Sequence, residues 1–583
     1  MMSRNFDDLA GQVVSVTDAN GNSTSTEYDT LGRAIRVVTP FSSSTNGETK
    51  TYYDKNSNVV KTAVKRNSSV YQTTEYKYDK MGNLLASIAN DESTDIVTQY
   101  EYDTANRVTK MITGLSEYSE NPTGGSVTQY NYDSLGHLSE VTDPMGLIET
   151  YYEYDYADNL LMWSDRNGNV IYNKYGAYGL TKTYFMIWSD RKEYTYNSIG
   201  QLTGTSSVSP DGTEVTNSYT YDAFGRMVSS TSDDGSVQNY TYDSNSNVTA
   251  YELIKDDVTE NSIAYEYNNL NRLTELTNNG IITSYTYDAN GNLTEKSDDN
   301  GVTTSYAYNA ANLLTKLTCK NGSTAYRRYS MSYYLDGLKS AEADDVNSYN
   351  KVYFYDNAGR LKEEFIYDTL GEFNMDSNYE YDTYGNRTLA EVTNSDNNVT
   401  IENYTYDANN RLTDIAESYK STPGGTAEAM SATKYYYDDN GNTLAKQVTS
   451  YTSGTESSNM GISGRSPNNG MEIYGYDAFN RLISYNSGAN EATYTYDADN
   501  LRTSKTVDRE KTTFVWNNGN LASETTDSAV NTYTYDATGV YIANQNGTVT
   551  SYLKDAHGNI AAKTDSSGAM IEALDLRSKY GSE

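Results

Sequence analysis

The stretch "TSYTYDANGNLTEKSDDNGVTTSYAYNAANLLTKL" (283–317) holds two copies of one unit. "YTYDANGNL" comes first and "YAYNAANLL" follows at Tyr306. On a strand, Tyr285 and Tyr287 point to one face and Thr286 to the other. Asp288 opens a turn, where its carboxylate can accept backbone N–H groups two residues on. Gly291 falls where a type I turn followed by a left-handed residue requires glycine, with asparagine the next best choice. The Leu that follows starts a return strand. A second turn, "DDNG" (298–301), sends the chain back again.

The same unit recurs along the whole chain, in "TEYDTLGRA" (26–34), "YKYDKMGNL" (76–84), "YEYDTANRV" (100–108) and "YNYDSLGHL" (130–138). It returns in "YTYDAFGRM" (219–227), "YEYNNLNRL" (265–273), "YFYDNAGRL" (353–361), "YEYDTYGNR" (379–387) and "YTYDANNRL" (404–412). "YGYDAFNRL" (474–482), "YTYDADNLR" (494–502) and "YTYDATGVY" (533–541) complete the clear copies. Asn stands in for Gly at Asn106, Asn271, Asn410 and Asn480, the exchange a left-handed position allows. With degenerate copies the array has about twenty units, at the spacing of a repeat architecture. Each is two strands and two tight turns, which predicts an all-β antiparallel meander of about forty strands. Twisted open sheets rarely exceed about ten strands before they curl, and no block of non-repeat sequence remains to fill a core. The expectation is a hollow spiral shell, incomplete at both ends, with repeats over 1–551 and a degenerate closing repeat over 552–583.

Composition narrows the function classes. The 583 residues include 60 Tyr, 9 Phe and 3 Trp, with a net charge of −35. Such acidity disfavours nucleic acid, which needs clustered Lys and Arg. No apolar run is long enough to span a membrane, and the first residues, "MMSRNFDDLAGQVVSVTD", carry no signal peptide. Cys319, His137 and His557 lie in unrelated repeats, which argues against Cys–His or Ser–His nucleophilic chemistry. The "DANGN" turns have glycine at position 4, whereas an EF-hand needs it at position 6. No catalytic residue, cofactor or metal ligand is expected.

The structural residues expected to carry the repeat are Tyr28, Asp29, Gly32 and Arg33; Tyr78, Asp79 and Gly82; and Tyr221, Asp222, Gly225 and Arg226. Tyr287, Asp288 and Gly291, with Tyr355, Asp356, Gly359 and Arg360, complete the set. The Tyr pairs read as cross-strand ladders. The repeat Arg residues, Arg411 among them, read as partners for nearby Asp. A glycan-binding repeat array also uses Tyr- and Gly-rich units, but normally relies on Trp. A β-propeller would need four strands per blade and alternating repeats.

With "YDTLGRA", "YDAFGRM" and "YDNAGRL" in view, the chain resembles the YD-repeat (RHS-repeat) family of bacterial polymorphic toxins and teneurin-like shells. The resemblance implies a β-cocoon around a variable C-terminal toxin or effector, delivered in interbacterial or host contact. It implies a secreted or cell-surface setting within a larger protein. The partners it implies are the missing cargo or further shell segments, with cell-wall glycan as the partner of the alternative reading. "DPMGL" (143–147) resembles the family's self-cleavage site through Asp143, Pro144, Gly146 and Leu147. Its position in an ordinary second-turn slot favours a plain turn.

Overall fold

In the computed structural model the described residues are 3–6, 11–91, 94–186, 189–451 and 470–574; the last nine residues of the 552–583 segment lie outside them. They form 49 strands in one sheet. Every strand pairs antiparallel with the strands before and after it in the chain, so the sheet is a continuous meander. The Y-x-Y alternation holds in most copies, with exceptions at Thr534, which is buried between Tyr533 and Tyr535, and at Tyr152, which is exposed. Lys77, Glu101, Glu266 and Thr286, each between a Tyr pair, are exposed, while the flanking tyrosines are half-buried or buried.

The meander coils. The turn after the second strand touches the turn after the twenty-fifth, at Asn20 and Asn290, so one coil takes 23 strands. Adjacent strands lie about 4.8 Å apart, which makes the coil roughly 110 Å around and about 35 Å across. The inter-coil spacing is 270 residues at Asn20–Asn290 and Arg66–Asp336, and 273 at Asn167–Asn440. It then shortens, from 288 at Asp190–Ala478 to 251 at Tyr285–Asp536 and 234 at Arg327–Ala561. At Arg327–Ala561 the twenty-ninth strand meets the forty-eighth, a coil of 19 strands. A tighter coil has a smaller circumference, so the last hairpins lie inside the first wall.

Two apolar clusters show where this happens. Val515 and Ala522 pack on Tyr240, Tyr251, Leu253, Ile263, Leu276 and Tyr285. Leu553 and Ala562 pack on Val302, Leu317, Cys319, Tyr326, Tyr329 and Met331. There the tyrosine face of the wall is covered in part: Tyr251, Tyr285 and Tyr329 are buried, and Tyr242, Tyr265 and Tyr306 partly so. The expectation of a coil with no filling of its own therefore needs one amendment. The repeats themselves supply an inner layer at the C-terminal end, because the narrowing coil turns ordinary hairpins inward. The accessible surface remains that of an open wall. It is 30778 Å², against about 20,500 Å² for a compact protein of 64.9 kDa.

Candidate functional site

The Asp turn is the repeated element from which the site is built. Asp29 accepts the backbone N–H of Leu31 at 2.9 Å and of Arg33 at 3.0 Å. Gly32 has φ +82° and donates its N–H to the Asp29 carbonyl at 3.0 Å, closing the type I turn. The pairing slips by one residue immediately before Tyr28, the bulge this turn imposes. The same closure occurs at Asp79–Gly82, Asp222–Gly225, Asp288–Gly291 and Asp356–Gly359. Asn106, Asn271, Asn410 and Asn480 take positive φ in its place.

Arginine at the fifth turn position does two things. Arg33 Nε donates to Asp29 Oδ2 at 2.7 Å, and its Nη1 donates to the Asp54 carbonyl of the next turn at 2.9 Å. Arg226 makes the same pair of bonds to Asp222 and the Asp243 carbonyl, as does Arg360 to Asp356 and the Asp382 carbonyl. The guanidinium also stacks on the tyrosine of the next repeat, as in Arg33 on Tyr53 at 4.6 Å and Arg226 on Tyr242 at 4.6 Å. The backbone N–H and guanidinium of Arg33 hold the Asp29 carboxyl below its ordinary range. His137 does the arginine's work: it bonds Asp133 at 3.0 Å and Asp158 at 2.9 Å, and stacks on Tyr154 at 4.5 Å.

The second tyrosine of each pair reaches backward. Tyr28 donates its hydroxyl to the Val13 carbonyl, Tyr221 to Leu202, and Tyr287 to Leu273, at 2.7–2.8 Å. Each phenol thus ties its hairpin to the one before, and its upper face is capped by arginine more often than by another aromatic ring. Tyr78 is half-buried, with its phenol pushed upward by burial. Tyr355 meets Tyr334 edge-on at 6.1 Å.

The second turns close in the same way, and between coils the two kinds of turn interlock. Asn20 donates its side-chain amide to Asp288 at 2.8 Å, while Asn290 donates to Asp18 at 2.7 Å. The backbone N–H of Asn20 adds a bond to Asn290 Oδ1 at 3.1 Å. Asn167 and Asn440 repeat the exchange with Asp438 and Asp165, at 3.0 and 2.7 Å. Burial raises the Asp288 carboxyl, but the bonds from Asn20 and Asn292 outweigh it and leave the group below its usual range.

The "DPMGL" turn sits in this seam. Asp143 is buried, accepts the N–H of Met145 and Leu147, each at 2.9 Å, and takes the Asn409 amide at 2.7 Å. Pro144 follows it in the turn, and Gly146 has φ +83°. Met145 replaces the asparagine that would reciprocate, and lies against Arg411 instead. Cys319 is fully buried, and burial pushes its thiol up to about 11. Among the described residues no group of three His, Cys, Asp or Glu side chains is placed to hold a metal ion.

Buried charges reinforce the seam. Arg66 Nε meets Asp336 Oδ2 at 2.6 Å, with the two side chains 5% and 3% exposed. Arg481 pairs with Asp477 at 2.6 Å and donates to Ser207 of the neighbouring coil at 2.9 Å. Asn20, Asn290, Arg66, Arg327 and Arg481 gave no signal in the repeat pattern beyond being ordinary turn or strand residues. Their partners lie more than 230 residues away.

Asn290→Ala is expected to loosen the clasp by about 1 kcal/mol, the usual worth of such a bond. Amide exchange at residues 18–22 and 288–292 should then speed up about fivefold. Asn20→Ala should do the same, and the double variant should cost less than the two single costs added, because the bonds are shared.

The teneurin YD-shell family profile matches residues 2–183, and the RHS-repeat profile matches residues 196–237 and 287–324. No curated protein matches the chain. The crystal structure of TcdB2-TccC3 is similar over 97% of this chain and 32% of that one, with a TM-score of 0.57 at 14% identity. Those of TcdB2-TccC3-TEV and TcdB2-TccC3-Cdc42 give 0.53 at 15% identity, covering 99% and 98% of this chain and 33% of each of theirs. The likeness is one of fold, and the chain spans about a third of the length of the solved chains it matches. The chain is thus similar to the teneurin YD-shell and RHS-repeat families over the matched residues, and it shares the open antiparallel shell fold of these solved structures.

Proposed function

We propose that the chain is a non-enzymatic wall segment enclosing a C-terminal toxin or effector, at the cell surface or after secretion, for delivery on contact with another cell. The observation that carries this reading is the inward course of the last hairpins. Arg327 is buried and donates to the carbonyls of Ala561 at 2.7 Å and Leu574 at 3.1 Å. The polypeptide at Leu574 is thus held by a buried residue of the earlier wall, which supports a course toward the interior. A cargo joined downstream starts inside the coil, whereas a domain joined upstream starts on the outer coil. Among the described residues no helix is long and apolar enough to cross a membrane.

The turns support a passive role. Their carboxylates are occupied as acceptors for their own backbone and for the facing coil, including Asp143, so the self-cleavage reading of "DPMGL" gains nothing from the geometry. The test is a small folded domain with a protease site, fused after Glu583 in one protein and before Met1 in another. The C-terminal fusion is expected to be cut about tenfold more slowly or less. Equal cleavage of the two would overturn the encapsulation reading.

A further inference from the structure

In the seam, the second-turn edge of the first coil covers the Asp-turn edge of the second coil. The Asp-turn edge of the first coil, residues 29–272, faces no described residue. The slot two residues after the turn Asp separates these two stretches of one continuous edge. Along the seam it holds Asn290, Ala358, Tyr384, Asn409, Asn440 and Phe479. Along the open rim it holds Leu31, Met81, Leu135, Ile199, Phe224 and Leu270, which are 69–85% exposed, with Asn56, Ala105, Ala157 and Asn245 at the turns between them. The rim is thus more apolar than the covered seam, the reverse of what solvent exposure favours.

The seam shows what a large side chain in this slot does when it is covered. Phe479 packs edge-on against Phe185 at 5.0 Å and lies under Lys192 at 4.7 Å. Tyr384 lies over Gly114, where a β-carbon would stand 2.1 Å from the ring. In both cases the large residue is received by a second-turn edge. The second coil carries such an edge in this same chain, covered by the last hairpin at Asn300 and Asn321 and open at the exposed Leu370 and Phe373.

We propose that the Asp-turn rim of the first coil is a docking surface for the second-turn rim of a second copy of this chain. The proposal rests on the shell reading and extends the inter-coil seam from one molecule to the next. The two rims differ, so the contact is head-to-tail and leaves a free rim at each end of the pair. The net charge of −35 opposes the approach of two copies. Salt screens that repulsion, so association should strengthen as salt is added.

The test is sedimentation velocity of the full chain, from low micromolar to about a hundred micromolar, at two salt concentrations. The sedimentation coefficient is expected to rise with concentration, more steeply at the higher salt. The variant L31N/M81N/L135N/I199N/F224N/L270N places in the rim the residue that seam turns carry, and should lose this concentration dependence with unchanged circular dichroism. L370N/F373T alters the opposite rim and should lose it too. Mixed together, the two variants should restore a species that stops at two copies, since each contributes the rim the other lacks. Monomers throughout, association that survives both variants, or a mixture that stays monomeric would each overturn the proposal. Binding of the wild type to neutral phosphatidylcholine vesicles, lost in the first variant, would also overturn it by making the rim a lipid contact. Protease protection of a C-terminal cargo does not depend on the rim, so the two readings can fail separately.

Discussion

Above pH 10 the protein is expected to unfold cooperatively within about two pH units. Burial pushes the phenols of Tyr240, Tyr251, Tyr265, Tyr306 and Tyr329 well above their ordinary range. A phenol raised in the folded state adds stability that is fully present below the unfolded value near 10. That stability is lost as the pH rises toward the folded value. Each such group changes stability by up to about 1.4 kcal/mol per pH unit in this window. Five of them remove up to about 14 kcal/mol over two units, as much as a typical folding free energy of about 5–15 kcal/mol. Lys192 works in the opposite direction over a narrower range. Burial lowers it to about 8, so the folded state gains from deprotonation between about pH 8 and the unfolded lysine value near 10.4. The net profile should be flat or slightly rising to pH 10 and then fall steeply. Tyrosinate absorbance and circular dichroism followed together check this. Gradual tyrosine ionisation with no cooperative loss of strand signal would contradict the burial of these phenols.

Arg66→Met is expected to part the coils locally. Its guanidinium pairs with Asp336 at 2.6 Å and donates to the Asp356 carbonyl, and Leu335 donates its N–H back to the Arg66 carbonyl at 2.9 Å. Removing the cation leaves a buried carboxylate alone, at a cost of about 3–5 kcal/mol. Because each strand is also held by its sheet neighbours, the loss should appear at the seam before the sheet. Amide exchange at residues 334–338 and 356–360 should accelerate roughly a hundredfold or more, while strand Thr324–Tyr333 stays protected. Adding Asp336→Asn should recover part of the loss, since it removes the unpaired charge. Lys61→Ala breaks an exposed pair with Glu75 and serves as the comparison, worth about 0–1 kcal/mol.

The repeat, the strand period and the turn type were legible in the sequence because their causes lie within nine residues. Asp29 satisfies its own turn, Gly32 supplies the positive φ, and asparagine substitutes where that φ permits. The coiling followed from strand number. Its partners did not, because a seam between residues 270 positions apart leaves no mark on local periodicity. The tyrosines were read as an aromatic ladder, yet Tyr28 spends its hydroxyl on a carbonyl of the preceding hairpin and its neighbour Tyr53 carries Arg33 on its ring. Arginine was read as a partner for nearby Asp. Its second bond, to the following turn, emerges only once consecutive hairpins are laid side by side. One such relation was available in the letters alone. At Asn83, Asn247, Asn292, Asn386 and Asn442 the fifth turn position is Asn, the left-handed slot of the next turn is Asn too, and the two amides bond at 2.7–3.0 Å, whereas Asn58 is followed by Gly82.

The reciprocal clasps at Asn20–Asn290 and Asn167–Asn440 restrict how such a gene can change in length. Adding or deleting a single hairpin anywhere between residues 22 and 288 would slide the second coil past the first, and every downstream turn would face a stranger. The winding therefore behaves like a screw thread of fixed pitch: lengthening is harmless in loops that leave the count of hairpins unchanged, such as residues 116–125 and 421–427. Within the thread, drift in length would need compensation by an equal and opposite change before the next clasp.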